Sequence, residues 1–68
     1  MTNSSLLRAK MFEKKASIKK LSEALGINEN TLAKKIKNQS EFKSAEIKKI
    51  SECLELSQGD THVIFLES

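Results

Sequence analysis

The chain has 68 residues and a mass of 7.6 kDa, which suffices for one domain, since chains of this size bury only about 60% of their unfolded surface. Hydrophobic residues make up 38% and aromatic residues only 4%, so we predict an aliphatic core. The absence of proline and the abundance of Lys, Glu, Leu and Ala favour helices and argue against an all-β fold.

The residue types that form most catalytic and metal-binding sites are scarce in this sequence. One cysteine, Cys53, and one histidine, His62, are too few for a disulfide or a structural zinc site, and Cys53 is predicted to be a small buried hydrophobe. The sequence contains neither a glycine-rich phosphate loop nor a plausible catalytic set. We therefore expect no enzymatic activity, cofactor or metal. No signal peptide or membrane-spanning run is recognisable, which predicts a cytoplasmic protein without a membrane partner.

The charge is unevenly distributed along the chain. The net charge is +3, but residues 1–49 hold all 12 basic side chains against five acidic ones, which gives +7. Residues 50–68 carry four acidic side chains and no basic one, which gives −4. The first part suits a polyanionic partner, although ordinary solvated helix faces are an alternative explanation.

Hydrophobic spacing predicts a first helix that Ser4 or Ser5 caps and that runs to about Lys15. Leu7 and Met11 lie four residues apart on its inner face, and Phe12 is also assigned to the core.

The next two helices are short and closely spaced. Ser17 is a suitable N-cap for a helix over residues 18–25, and Gly26 follows where a left-handed residue commonly ends a helix. Asn28 is then a suitable N-cap for a third helix that begins at about Glu29, whose charge favours the positive end of the helix dipole.

Two further helices are predicted after a loop at residues 38–40. Ser44 can cap a fourth helix that runs to about Leu54, and Phe42 is expected to plug the core from the loop. Ser57 and Asp60 have the spacing of a capping box and indicate a short fifth helix. The apolar run over residues 63–66 fits either the end of this helix or a strand.

Two short helices joined by a turn centred on a glycine are the requirement for a helix-turn-helix unit. The segment from Ser17 to Asn38, SIKKLSEALGINENTLAKKIKN, resembles the helix-turn-helix of the phage Cro and repressor family, with the small residue Ser22 where the two helices cross. The flanking apolar positions resemble the first and fourth helices of that five-helix fold: Leu7, Met11, Phe42, Ile47, Ile50 and Leu54. Lys35 departs from the pattern, because that position is usually apolar, and Ile36 takes the inward place.

The resemblance implies an all-α, compact four- to five-helix, lambda-repressor-like domain over residues 1–68, with helices two and three forming the helix-turn-helix at about 17–38. The third helix would then be the recognition helix that enters the major groove of DNA. We assign four residues of this helix to base reading: Glu29, Asn30, Thr31 and Lys34. We assign seven residues to phosphate contacts: Ser17, Lys19, Lys20, Lys35, Lys37, Asn38 and Lys43.

The apolar end of the chain predicts a second surface. Residues 57–68 are interpreted as a dimerisation tail, and four apolar side chains are its candidate interface: Val63, Ile64, Phe65 and Leu66. The alternative is that Phe65 and Val63 fold back onto the first helix.

These features favour a sequence-specific transcriptional regulator of the repressor type that binds double-stranded DNA as a homodimer. The alternative is an antirepressor or modulator that keeps the helix-turn-helix shape but binds a partner repressor protein. Glu29 on the groove-facing side and Lys35 at a usually apolar position keep that alternative open. An RNA-binding or membrane-surface role is weaker, because stacking aromatic residues and a strongly basic amphipathic face are lacking.

Overall fold

The computed structural model describes residues 1–66, except for the side chain of Leu66, and within this part the chain is entirely helical. Five α-helices are followed by one π-helical segment: α1 Ser4–Glu13, α2 Ile18–Leu25, α3 Glu29–Ile36, α4 Ser44–Cys53, α5 Gln58–Thr61 and the π-helical segment His62–Leu66. The predicted all-α fold class is confirmed. None of the helices in the described part is long and apolar enough to cross a membrane.

A single core joins α1, α2, α3, α4 and the π-helical segment. It is mostly aliphatic, as predicted, and consists of Leu7, Met11, Leu21, Leu32, Ile36, Ile50, Leu54, Ile64 and Phe65. Helix α2 packs against both α3 and α4, and α1 packs against the π-helical segment. Helix α4 therefore packs on the inner side of the α2–α3 pair, and the outer side of α3 stays exposed.

The predicted bounds of α2, the predicted start of α3 and the N-caps of both helices are confirmed. The hydroxyl of Ser17 accepts the N–H of Lys20, and the side chain of Asn28 accepts the N–H of Asn30. The predicted cap of α5 is also present, because the Ser57 hydroxyl accepts the N–H of Asp60. Polar N-caps before short apolar patterns were thus sufficient to place these three helix starts.

The predictions for α1 require corrections. Asn3, rather than Ser4 or Ser5, is the N-cap, and its side chain accepts the N–H of Leu6 at 3.1 Å. The helix ends at Glu13 instead of Lys15, which has a left-handed φ of 55°. Phe12 is 87% exposed, so its assignment to the core was wrong; the inward positions of this helix belong to Leu7 and Met11.

Two predictions for α4 also need correction. Lys43 is its N-cap, and the carboxylate of Glu46 accepts the backbone N–H of Lys43 at 2.8 Å. Cys53 was predicted to be buried but is exposed, because Ile50 and Leu54 take the inward positions at that end of the helix.

Residues 62–66 are helical rather than a strand, and two of the three apolar side chains described there are buried. Ile64 is fully buried, and Phe65 packs edge-on against Phe42 with 5.3 Å between ring centroids. The backbone N–H of Asn3 donates to the carbonyl of Ile64, which ties the tail to the start of α1. Ile64 and Phe65 are therefore core residues and not an exposed dimer surface, which corrects their assignment.

Val63 is the member of the predicted interface that is exposed, at 40%. The side chain of Leu66, the fourth member, lies outside the described part of the chain, as do residues 67 and 68 of the predicted tail. Among the described side chains, Val63 remains a candidate for the dimer interface, and the assignment of Leu66 stays a prediction.

Candidate nucleic-acid interface

The turn between α2 and α3 has a defined backbone geometry. Gly26 adopts φ 70° and ψ 30°, its N–H donates to the carbonyl of Glu23, and the N–H of Ile27 donates to the carbonyl of Ser22. These two bonds form a Schellman motif, which closes α2 and places the apolar residue Ile27 against the core. Because Asn28 caps α3 immediately afterwards, the direction of α3 relative to α2 is set within three residues.

Helix α3 exposes a polar face near its N-terminus. Leu32 and Ile36 are fully buried on the inner side. All four residues that were assigned to base reading are exposed: Glu29, Asn30, Thr31 and Lys34. The structure leaves each of them accessible within the first two turns of α3. Asn28 is excluded from this group, because its side-chain oxygen is used to cap the helix.

The residue at the crossing of α2 and α3 is small, which allows these two helices to approach closely. Ser22 is buried, and its hydroxyl donates to the carbonyl of Lys19 within the same helix at 2.8 Å. A small side chain whose hydrogen bond is satisfied locally is suited to a helix contact, since it adds little bulk and leaves no polar group unpaired.

Six of the seven residues assigned to phosphate contacts are exposed, and five of them remain candidates for that role: Ser17, Lys19, Lys20, Lys37 and Lys43. They lie at three helix ends around α3, namely the start of α2, the end of α3 itself and the start of α4. The first N–H groups of α2 also have no partner within the helix, as at any helix start, and such groups favour anions.

Lys35 does not fit its assignment to phosphate. Its ammonium group donates to both carboxylate oxygens of Glu46, at 2.6 and 2.8 Å, and the two side chains are only 8% and 12% exposed. Ile36 is buried beside it in the place that the sequence indicated. Lys35 is thus a buried, paired cation between α3 and α4, and it is not available to a phosphate.

Asn38 is also occupied by contacts within the chain. Its side-chain oxygen accepts the N–H of Thr2 at 2.8 Å, and its amide nitrogen donates to the carbonyl of Thr2 at 3.0 Å and to the hydroxyl of Ser4 at 3.3 Å. That hydroxyl in turn donates to the carbonyl of Ile36. The structure therefore makes Asn38 a link between the end of α3 and the N-terminal segment, which removes it from the phosphate candidates.

Glu46 is the residue of this region that the sequence interpretation missed. Burial alone would raise the pKa of its carboxyl, but hydrogen bonds from Lys35 and from the N–H of Lys43, with the charge of Lys35, lower the pKa below its ordinary value of 4.5. The carboxylate therefore stays charged at neutral pH. The signal for such a partner was Lys35 itself, because a lysine at an inward position requires a nearby acid.

Lys10 in α1 and Lys14 at its C-cap are paired with acidic residues that follow α4. Lys10 lies 3.4 Å from Asp60, and Lys14 lies 3.0 Å from Glu55. Within residues 1–66, no acidic partner within 4.0 Å is found for Lys19, Lys20, Lys34, Lys37 or Lys43. These five lysines lie along α3, at its end and at the starts of α2 and α4; Arg8, Lys15, Lys48 and Lys49 are likewise exposed without an ion pair elsewhere on the described part of the chain.

The fold and this surface together define a helix-turn-helix domain. A family model described as a Cro/C1-type HTH DNA-binding domain matches residues 7–61, from α1 to the end of α5, and the chain belongs to this family. No curated protein and no solved structure matches the chain significantly. The family resemblance inferred from the sequence is therefore confirmed, and the family supports a DNA-binding regulator.

Proposed function

We propose that the protein is a sequence-specific transcriptional regulator that inserts α3 into the major groove of double-stranded DNA. The observation that carries this proposal is the exposed N-terminal half of α3, which is held by a fixed turn and surrounded by lysines without acidic partners in the described part of the chain. A helix presented in this way matches the width of the major groove and the charge of the DNA backbone.

Each base-reading residue has a chemistry suited to one type of base edge. Asn30 pairs with adenine through two hydrogen bonds, Lys34 donates to guanine, and Glu29 accepts from the amino group of cytosine. Thr31 contacts a thymine methyl group or a phosphate. Such contacts contribute roughly 1 to 3 kcal/mol of discrimination each, which is sufficient to select one sequence over many.

The remaining contacts are proposed to go to phosphates. The residues are Ser17, Lys19, Lys20, Lys37 and Lys43, all of which are exposed. The Ser17 hydroxyl accepts the N–H of Lys20 at 3.1 Å and keeps its proton for an incoming phosphate oxygen. Phosphate contacts fix the register of the protein on the duplex and supply affinity without sequence information.

The modulator alternative loses one of the two features that favoured it. The charge of Lys35 is used inside the molecule by Glu46, so this lysine does not offer an unusual docking surface for a partner protein. Glu29 is accounted for by its place in the first turn of α3, where a negative charge is stabilised by the helix dipole. A repressor-like DNA-binding role is therefore preferred.

The decisive experiment is binding to duplex DNA at several salt concentrations. A duplex enriched by the wild-type protein from a random pool should bind at least about 10³-fold more tightly than its scrambled counterpart. Affinity for both should fall steeply with salt, because lysine–phosphate contacts release counterions. If the pool yields no enriched duplex and binding shows no salt dependence, the proposal is wrong and a protein partner should be sought.

The division of residue roles is tested with single variants. Asn30→Ala and Lys34→Ala should each relax the preference at particular base pairs, since each removes one contact to a base edge. Lys37→Ala should weaken all duplexes alike. An equal, sequence-independent loss from all three variants contradicts the division into base and phosphate contacts.

We also propose that two copies bind together on adjacent half-sites. A single module of this size has a small interface with DNA, and helix-turn-helix dimers read half-sites about 34 Å apart through a two-fold axis. Val63 is the exposed apolar residue of the chain end that supports such a contact. Sedimentation of the complex should give two 7.6 kDa chains per duplex, and Val63→Asp should abolish binding of the second copy. One chain per duplex in the wild type contradicts the dimer.

A further inference from the structure

The Lys35–Glu46 pair joins the two helices that flank the loop after α3. Lys35 lies in the last turn of α3 and Glu46 in the first turn of α4. One carboxylate group accepts the Lys35 ammonium through both oxygens and also accepts the backbone N–H of Lys43. Three hydrogen bonds to a single, nearly buried side chain therefore hold the end of α3 and the start of α4 together.

Stability alone is a poor explanation for this arrangement. Replacing a buried ion pair by apolar side chains of similar volume is often neutral or stabilising, because the desolvation of both charges offsets their attraction. An apolar pair would also suit this position, which is usually apolar in helix-turn-helix units of this type. The ion pair fixes the relative orientation of α3 and α4. A hydrogen-bonded carboxylate sets the distance and the angle to its donors, whereas apolar contacts are non-directional.

We propose that Glu46 is a positioning residue for DNA recognition, which fixes α3 and the start of α4 as one rigid body by binding Lys35 and the N–H of Lys43. This inference rests on the proposed function. The pair keeps the base-reading side of α3 aligned with Lys37 and Lys43, which flank the same loop and are exposed. Base contacts depend on this alignment more than phosphate contacts do, because hydrogen bonds to base edges are directional.

The test is a charge-neutral double variant, Lys35→Met with Glu46→Leu. It removes one positive and one negative charge, so the net charge and long-range attraction to DNA are unchanged. We expect a folded protein whose preference for the selected duplex over the scrambled one falls about tenfold, the loss expected from one misaligned base contact. The affinity for scrambled DNA and the slope of log affinity against log salt should stay at their wild-type values.

The matched control is Lys49→Met with Glu52→Leu, which makes the same atomic changes at two exposed positions of α4. This control should keep the wild-type preference. An unchanged preference in the Lys35/Glu46 double variant overturns the inference, because the pair would then only fill space. A decrease in the salt slope of about 0.9 also overturns it, since Lys35 would then contact a phosphate directly.

A single variant, Glu46→Gln, covers the case in which the double variant does not fold. Gln keeps an oxygen that accepts the N–H of Lys43 but removes the charge that orients Lys35. The preference for the selected duplex should again fall several-fold, and a full wild-type preference contradicts the positioning role. A wild-type protein that enriches no duplex instead contradicts the proposed function, so the two failures are distinguishable.

Discussion

Single residues in the left-handed conformation end four of the helices. Lys15, Gly26, Asn38 and Glu55 have φ between 53° and 70°. At each of them the next residue's N–H reaches back five positions to a carbonyl, as in a Schellman motif. After Lys15, Gly26 and Glu55 the chain continues with one apolar residue and a Ser or Asn N-cap, so three of the helix junctions share one short geometry.

The two glycines should respond in opposite ways to the same substitution. A Cβ at Gly26 meets no atom within 4 Å, but its φ of 70° is costly for any side chain, so Gly26→Ala should lower the unfolding free energy by about 1 to 2 kcal/mol. Gly59 lies within α5 with space for a Cβ, so Gly59→Ala should raise it by about 0.4 to 1 kcal/mol. Urea denaturation measures both, and a stabilising Gly26→Ala would contradict the role of the turn.

These junctions also explain which helix ends the sequence could predict. The end of α2 was placed correctly because glycine marks the left-handed position. The end of α1 was misplaced by two residues because the same position holds Lys15, which carries no such signal. The spacing of apolar residues placed Met11 correctly on the inner face of α1 but did not show that the adjacent Phe12 points outward, since the width of the buried face depends on contacts with residues distant in the sequence.

At the scale of elements, the end of α3 is held by two separate sets of contacts. Glu46 fixes it to α4, and the Asn38 side chain fixes it to the N-terminal segment. Sequence reasoning assigned Lys35 and Asn38 to phosphates because both are polar and lie near the recognition helix. Their partners are 11 and 36 residues away in the sequence, respectively, so local patterns could not reveal that these side chains are already used.

The Asn38 link can be tested without changing the backbone conformation. Gly adopts the φ of 65° readily, so Asn38→Gly removes only the side-chain hydrogen bonds to Thr2 and Ser4. We expect a loss of about 1 to 2 kcal/mol in unfolding free energy. Faster hydrogen exchange at the Thr2 amide should accompany this loss. The neighbouring exposed Gln39→Ala serves as the control, and equal exchange rates at Thr2 in both variants would argue against the link.

The Glu46 contacts also predict a pH dependence. The folded pKa of Glu46 lies below 4.5, so the folded state binds a proton less readily than the unfolded state. The resulting stability is present above about pH 4.5 and is lost as the pH falls through the folded pKa. Glu46→Gln should therefore reduce the unfolding free energy at pH 6 and flatten its decline below pH 4.5. Parallel acid-denaturation curves for the wild type and Glu46→Gln would contradict this assignment.

At the scale of the whole molecule, acidic side chains that follow α4 neutralise part of the positive charge near α1. Asp60 pairs with Lys10 on α1, and Glu55 pairs with Lys14 at the C-cap of that helix. Surface ion pairs of this kind add little stability. The exposed lysines around α3 have no such partner in the described part of the chain, so we expect this surface to approach a polyanion.

This division predicts different salt responses from two lysine variants of equal charge. Lys37→Ala should lower affinity for every duplex and reduce the slope of log affinity against log salt by about 0.9, because one phosphate contact and its released counterion are lost. Lys10→Ala, which lies on α1 and is paired with Asp60, should leave the slope unchanged. Both variants lose one positive charge, so the comparison separates a local contact from an effect of net charge. Equal slopes for the two variants would mean that DNA responds only to the overall charge, and the face formed by α3 and the starts of α2 and α4 would lose its assignment.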